Sequence, residues 1–398
     1  MTGCRYDIVV IGGGIHGVGI TQAAAAAGYS VLLLEKSALA AGTSSKSSKL
    51  IHGGLRYLET YQFGLVAESL RERALLLKLA PGLVKLRPFI IPVYKKTRRA
   101  PWLVRLGLSL YAVLGRFREG ASFHTIPSSD WQSLDGLRTD DLKAVFSYSD
   151  AQTDDRLLTR AVMNSALELG AQYEMPAEFV GAQLDEAGNI VRYRVDHTEK
   201  QCVAGILINT AGPWVNEVLA RVTPAQVAPA ISLVQGSHIV IGQQFKRGIY
   251  YVESPRDGRA VFVMPRQNDT LVGTTEIRFR GHPDTVTTFP RERSYLCSVV
   301  EYYFPALRGT IANSIIGAFA GLRVLPEGKG HAFHRPRETI LRSDNETHPH
   351  ILSVYGGKLT GYRATAEKVI NHLRPFLPER SAIASTRELP LTPPRDDV

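Results

Sequence analysis

The sequence predicts a two-domain α/β protein, in which a parallel sheet assembled from separated stretches of chain accompanies an antiparallel sheet inserted between them. Three observations carry this. The chain opens on a strand, glycine turn, helix and second strand. Residues 227–277 change to short strands joined by tight turns. Strand and helix patterns then return near 315–319, 351–355 and 362–373. With 398 residues, 44% of them hydrophobic, the chain is long enough for more than one core.

Residues 6–11 form an apolar run of the kind buried on both faces of a parallel sheet. Residues 12–17 turn the chain, the alanine-rich stretch 15–27 is helical and ended by Gly28, and 30–35 form a second buried strand. Residues 42–57 read as a polar loop rich in glycine and serine, and 63–79 and 155–169 as helices. A strand over 203–209 runs into Thr210-Ala211-Gly212-Pro213-Trp214. Short strands follow at 237–241, 248–252, 260–264 and 270–274, the last two joined through Gln267-Asn268-Asp269. Strand 351–355 leads through Gly356-Gly357-Lys358-Leu359-Thr360 into a helix over 362–373. These readings assign 1–85, 146–225 and 306–378 to the parallel-sheet domain and 86–145 and 226–305 to the second. Residues 379–398, rich in proline and charge, read as a tail.

The formal net charge of +10 points to an anionic partner: a phosphorylated substrate, acidic lipid or nucleic acid. No nucleic-acid-binding module is recognisable, so nucleic acid is not expected. Cys4, Cys202 and Cys297 lie far apart with no CxxC pair, so neither a disulfide framework nor a metal site is expected, and a reducing cytoplasm fits. The apolar run 8–11 is too short for a secretory signal, and no stretch approaches the roughly 20 apolar residues that cross a bilayer.

Gly12-Gly13-Gly14-Ile15-His16-Gly17 matches GxGxxG, a weak pattern alone. Here it follows a strand, opens a helix and is answered by Glu35, 18 residues beyond Gly17. Gly12 makes the tight turn, Gly14 lets backbone approach a pyrophosphate, and Gly17 lets helix and strand pack closely. The helix N-terminus supplies N–H groups for phosphate, and Glu35 accepts from an adenosine ribose. The N-terminal position and single copy favour FAD over NAD. Ala211, Gly212 and Trp214 read as a second dinucleotide signature.

The run Thr43-Ser44-Ser45-Lys46-Ser47-Ser48-Lys49-Leu50-Ile51-His52-Gly53-Gly54-Leu55-Arg56-Tyr57-Leu58-Glu59 resembles that of the FAD-dependent glycerol-3-phosphate dehydrogenases, in the D-amino-acid-oxidase-like superfamily. The resemblance continues through Ala211-Gly212-Pro213-Trp214-Val215, Gly236-Ser237-His238-Ile239-Val240, Val272-Gly273-Thr274-Thr275, Gly321-Leu322-Arg323 and Gly356-Gly357-Lys358-Leu359-Thr360. It implies a two-domain flavoprotein: a Rossmann-like FAD-binding parallel sheet and an antiparallel substrate sheet, with the ring between them. It also implies hydride transfer from C2 of sn-glycerol 3-phosphate to flavin N5, with a membrane quinone as acceptor. Two departures stand out. The longer members carry a C-terminal helical domain without counterpart here, and Gly361 stands where a second threonine is expected.

Small hydroxyls and backbone N–H groups from Thr43, Ser44, Ser45, Ser47, Ser48, Lys49, Leu50, His52, Gly53 and Gly54 suit a diphosphate and flavin. Lys36, Gly357, Lys358, Leu359 and Thr360 join them through the resemblance. Arg56, Arg323, Arg342 and Lys358 are the cations for the substrate phosphate, with Tyr57 and His238 beside them. Arginine forks match phosphate oxygens, and Arg56 and Arg323 sit among apolar neighbours and glycine, which implies burial against an anion. The catalytic candidates are His52, His238 and Arg323. Either histidine suits removal of the C2 hydroxyl proton, especially if nearby arginines keep it neutral. Lys358 and the following helix start place positive charge near the flavin ring.

Other readings stay open: an oxidase using oxygen on the same substrate, an amine or amino-acid oxidase of the superfamily, or an FAD-binding membrane module without turnover. An oligomer is compatible with the sequence. The segment 93–118 carries Lys95, Lys96, Arg98, Arg99, Arg105, Arg116 and Arg118 and no acidic residue. From Pro101 its period is helical, with Leu103, Leu106, Leu110, Val113 and Phe117 on one face and Arg105, Ser109, Ala112 and Arg116 on another. Trp102 and Tyr111 suit a headgroup boundary. This helix is expected to lie on the cytoplasmic face of the inner membrane.

Overall fold

The computed structural model describes residues 4–116, 120, 122–327 and 339–394. The seven described α-helices are α1 Ile15–Ala26, α2 Phe63–Leu79, α3 Pro101–Leu114, α4 Asp155–Glu168, α5 Val215–Leu219, α6 Pro290–Tyr303 and α7 Tyr362–Leu373. They pack on two sheets.

The first sheet has nine strands. Its ladder runs Val222–Thr223, Glu178–Gln183, Asn189–Val195, Thr198–Asn209, Arg5–Ile11, Val31–Leu34 and Gln172–Glu174. Arg5–Ile11 pairs parallel with both of its neighbours, and Ile351–Tyr355 pairs parallel with Thr198–Asn209. The central strands are apolar where both faces are covered, at residues 8–11, 31–34 and 206–208. α1, α4 and α7 bury Ile8, Val10, Ile206 and Leu352 on one face; α5 and Val324 cover Val9, Leu207 and Ile351 on the other. α1 is buried nearly all round, which its run of alanines allows. Asp154 caps α4 by accepting from the N–H groups of Arg156 and Leu157.

The second sheet has ten strands, in the order Ile277–Phe279, Ile231–Ile241, Asp269–Gly273, Ala260–Arg266, Ile249–Glu253, Lys85–Tyr94, Leu142–Gln152 and Leu50–Ile51. Ile315–Pro326 also pairs antiparallel with Ile231–Ile241, residue by residue over most of its length. α6 packs on one face of this sheet, and α2 and α3 on the other.

Two expected boundaries move. Leu142–Gln152 and Ile315–Pro326 lie wholly in the second sheet, although 146–225 and 306–378 were assigned to the first. An apolar strand reads the same in either sheet, and only its long-range partner decides. The polar stretch 42–57 is also more than a loop: 3₁₀ turns over Thr43–Ser45 and Leu55–Thr60 flank the strand Leu50–Ile51, and the whole segment crosses from one sheet to the other.

The described part of the tail has no helix or strand but is tied down. Ile383 and Ala384 donate to the Ala26 carbonyl, Leu391 N–H donates to Leu79, and the Leu391 side chain is buried.

Candidate active site

Four connections leave the carboxyl ends of the parallel strands at one edge: residues 12–17, 35–49, 210–214 and 356–361. In open α/β sheets this edge is where ligands bind. A cleft of about 700 Å³ starts there and continues under the second sheet, from Glu35 and Phe179 at one end to Tyr251, Phe262 and Arg259 towards the other.

The glycine turn is tightly built. Gly12 has φ +104°, and a Cβ on Gly17 would lie 1.8 Å from the Gly12 carbonyl oxygen. The N-cap of α1 is Gly14, which has no side chain to cap the helix. The Ile15 N–H donates to Ser44 Oγ at 2.9 Å, and the Gly13 N–H to Glu35 Oε2 at 2.7 Å. The second Glu35 oxygen accepts from the Ser37 N–H and hydroxyl. His16 Nδ1 and Trp214 Nε1 are buried at the cleft with no hydrogen-bond partner among the described residues. Such groups imply a ligand that completes them. A helix N-terminus whose own N-cap is glycine, a crowded glycine turn and buried ring nitrogens without a hydrogen-bond partner among the described residues fit a dinucleotide. Lys36, 4.0 Å from the Trp214 ring centroid, closes this end.

A cationic wall forms deeper in the cleft. Lys358 Nζ stands 3.8 Å from the Tyr57 ring centroid, and the Arg56 guanidinium 5.8 Å from it. Arg323 donates from Nη2 to the Thr275 carbonyl at 3.2 Å. The two candidate histidines border the same space. The His52 backbone N–H is held by Thr360 Oγ1 at 3.1 Å, and its ring meets Phe262 edge-on at 6.5 Å. His238 is buried, stacked on Phe319 at 5.0 Å, with Nε2 2.9 Å from Ser48 Oγ and Nδ1 without a hydrogen-bond partner among the described residues.

The family model described as DAO, FAD dependent oxidoreductase, matches residues 7–363. The chain belongs to this family. Its relatives include a glycerol-3-phosphate dehydrogenase of Pseudomonas aeruginosa, 38% identical over 93% of this chain and 72% of that protein. A D-erythritol 1-phosphate dehydrogenase of Brucella abortus is 36% identical over 94% and 74%. Among solved structures, the FAD complex of glycerol-3-phosphate dehydrogenase from Bacillus halodurans superposes with a TM-score of 0.76 at 26% identity, covering 97% of this chain and 68% of that one.

In this FAD-dependent oxidoreductase, most residues expected at the site border the cleft: Gly12, Gly14, His16, Glu35, Lys36, Ser44, Ser48, His52, Arg56, Tyr57, Trp214, His238, Arg323, Lys358 and Thr360 among them. Six do not. Gly13 and Gly17 are packed behind the turn. Ser45 donates to the nearby Gly42 carbonyl. Gly53 N–H donates to Tyr111 Oη at 2.8 Å. Lys49 turns inward to a buried ion pair with Asp155, because its φ of +58° reverses the chain there. Arg342 is exposed on the strand Ile340–Ser343, outside the cleft.

Lys46 lines the cleft instead of Lys49, its Nζ 5.7 Å from the Phe319 ring centroid. Sequence reasoning also missed Phe179, Tyr251, Arg259, Phe262 and Glu276, which the fold delivers from strands and turns carrying no motif.

His16 and His238 are both held neutral. Burial lowers His16 to about 4; burial, then the Arg323 and Lys49 charges, lowers His238 to about 3. The unfolded chain takes up a proton at each as pH falls below about 6.5, and the folded protein does not. Stability is therefore full above that pH and falls as the medium is acidified towards 4, by about 1.4 kcal/mol per pH unit for each histidine. The urea midpoint of the FAD-loaded protein should drop between about pH 7 and about pH 5, and His16→Gln should flatten that dependence. An unchanged dependence in the variant would remove His16 from the account.

Proposed function

We propose that this enzyme oxidises sn-glycerol 3-phosphate to dihydroxyacetone phosphate and passes the electrons to a membrane quinone. The observation that carries the reading is the gathering of Arg56, Arg323 and Lys358 on one cleft that also fits FAD. A phosphate dianion in a partly buried site requires such a set, whereas an amino-acid substrate would need a carboxylate clamp and an apolar amine pocket. The names of the Pseudomonas and Bacillus relatives support the same substrate.

FAD held by the glycine turn 12–17, Glu35 and the 43–48 segment would supply the acceptor for the hydride that leaves C2. The chain does the rest. Arg56, Arg323 and Lys358 fix the phosphate and so orient C2. His52 takes the hydroxyl proton as the alcohol becomes a ketone. Both histidines border the cleft, but His238 is buried, with one nitrogen engaged by Ser48 and the other enclosed. His238 thus forms a neutral wall, adding no charge to compete for the phosphate. Lys358 and the N-terminal end of α7 favour negative charge on their side of the cleft.

Anaerobic mixing of the purified yellow protein with sn-glycerol 3-phosphate tests this: the flavin absorbance should bleach within a turnover. Faster bleaching with D-erythritol 1-phosphate would move the substrate to the four-carbon homologue, and bleaching with neither would sink the reading. Reoxidation by a soluble quinone but not by air separates the dehydrogenase from an oxidase.

The inner-membrane location rests on α3. No described helix is long and apolar enough to cross a membrane. α3 buries Val104, Leu108, Tyr111 and Ala112 and exposes Trp102 (68%), Leu103, Leu106 (58%) and Val113. Tyr111, expected at a headgroup boundary, is instead buried and hydrogen-bonded to Asp150 at 2.6 Å. Tyr61 and Phe63 add exposed rings at the start of α2. Of the basic residues, Lys95, Lys96, Arg98, Arg105 and Arg116 are exposed, while Arg99 is clasped by Glu59 and Glu253. Phe117 and Arg118 lie outside the described residues. Each exposed cation contributes about 1 kcal/mol at an anionic surface. The protein should float with acidic liposomes at low salt, and Trp102→Ser with Leu106→Asp should not. Wild type remaining soluble throughout would overturn the membrane assignment.

A further inference from the structure

Glu292, in the first turn of α6, is 2% exposed, and a buried carboxylate is costly unless it is fully hydrogen-bonded. Its acceptors are well supplied. Gln235 Nε2 donates to Oε2 at 2.6 Å, the Phe289 N–H donates to Oε2 at 3.0 Å, and Thr275 Oγ1 donates to Oε1 at 2.5 Å. These bonds join α6, the strand Ile231–Ile241 and the segment after Asp269–Gly273 at one point.

Pleating makes that point significant. Successive side chains of a strand face opposite sides, and directly opposed residues of an antiparallel pair face the same side. Gly236 opposes Gly321, and His238 opposes Phe319, so these and Arg323, which opposes Val234, share the cleft side. Gln235 and Ser237 face the other way, towards α6. Glu292 is therefore behind the sheet, and it cannot touch a substrate lying in front of it.

Thr275 connects the two sides. Its hydroxyl accepts from the Ser237 N–H at 2.8 Å while donating to Glu292, which fixes the rotor. Its carbonyl accepts from Arg323 Nη2. The guanidinium packs directly over Gly236, where a Cβ would lie 3.0 Å from Nη2.

We infer that Glu292 is a positioning residue: through Thr275 it holds the Arg323 guanidinium in the orientation that receives the substrate phosphate. This rests on the proposed role of Arg323. The pinned carbonyl sets the direction of one guanidinium N–H in a side chain that lines the cleft. Without the carboxylate, the Thr275 hydroxyl rotates, the segment loosens, and the arginine loses a defined pose.

The experiment compares steady-state kinetics of the FAD-loaded enzyme with sn-glycerol 3-phosphate. Thr275→Val and Glu292→Gln should each lower kcat/KM about tenfold, the scale of one hydrogen bond to a charged group, chiefly through KM. Thr275→Ser, which keeps the hydroxyl, should behave as wild type. On an Arg323→Ala background, itself weakened at least about tenfold, Thr275→Val should add nothing, because the path ends at that guanidinium. If Arg323→Ala leaves kcat/KM unchanged, the role of Arg323 fails. If Arg323→Ala weakens the enzyme but Thr275→Val does not, or if the two losses multiply, the inference about Glu292 alone is overturned. A Glu292→Gln protein that melts early with normal KM would reduce Glu292 to a structural part.

Discussion

His52→Gln should lower kcat for sn-glycerol 3-phosphate about 10²- to 10⁴-fold, the range expected when a positioned proton acceptor is removed. The expectation follows from where the two histidines sit. His52 follows the strand Leu50–Ile51, borders the cleft, and has its backbone fixed by Thr360 Oγ1. Gly53 next to it donates to Tyr111 Oη, which donates in turn to Asp150, itself paired with Arg73 at 2.5 Å. The loop is thus held from both sides, and the side chain can be changed without moving it. FAD content and substrate KM should stay near wild type. His238→Gln should cost much less, since its ring serves as a neutral wall behind Ser48. The opposite ranking would transfer the proton to His238 through the Ser48 hydroxyl.

Local patterns carried the fold a long way. The helices expected over 63–79 and 362–373 form with those bounds, and the glycine turn, Glu35 and the strands around them stand where spacing placed them. Function was legible where chemistry and backbone coincide within a few residues. It failed where position depends on a partner far along the chain. Lys46 and Lys49 have the same composition and similar neighbours, yet a single left-handed residue sends one to Asp155 and leaves the other in the cleft. Tyr111 has the spacing of a surface residue on an amphipathic helix, but Asp150, on a strand 39 residues away, draws it inward. Arg342 sits near the motifs in sequence, on a strand whose exposed position turns it out of the cleft. Glu292 belongs to no motif, and only the pairing of Ile231–Ile241 with Ile315–Pro326 gives it a role.

Gly17→Val should yield a colourless protein that retains no FAD and melts well below wild type. At this position a Cβ would lie 1.8 Å from the Gly12 carbonyl oxygen and 2.7 Å from Thr210 Oγ1. Neither neighbour can yield. Gly12 is fixed by its N–H to the Leu34 carbonyl, and Thr210 Oγ1 donates to the Ile11 carbonyl at 2.7 Å. The only relief is for α1 to move away from the turn, and α1 is buried against α4 and α7. Overpacking of this kind costs roughly 1–3 kcal/mol or more. It also separates the helix N-terminus from the strand end, so the N–H groups no longer converge on one phosphate position. Gly14→Ala provides the graded comparison. Its Cβ would meet only Ser44 Oγ, at 3.2 Å, a side-chain atom that can rotate away. That variant should fold with near-normal stability and hold FAD more weakly. Gly107→Ala, with nothing within 4 Å, should leave both stability and FAD retention unchanged. Visible flavin absorbance after gel filtration and thermal melting of the same samples decide the matter. A Gly17→Val protein that stays yellow would show that α1 has room to shift, and the close approach of helix and turn would no longer explain the glycine.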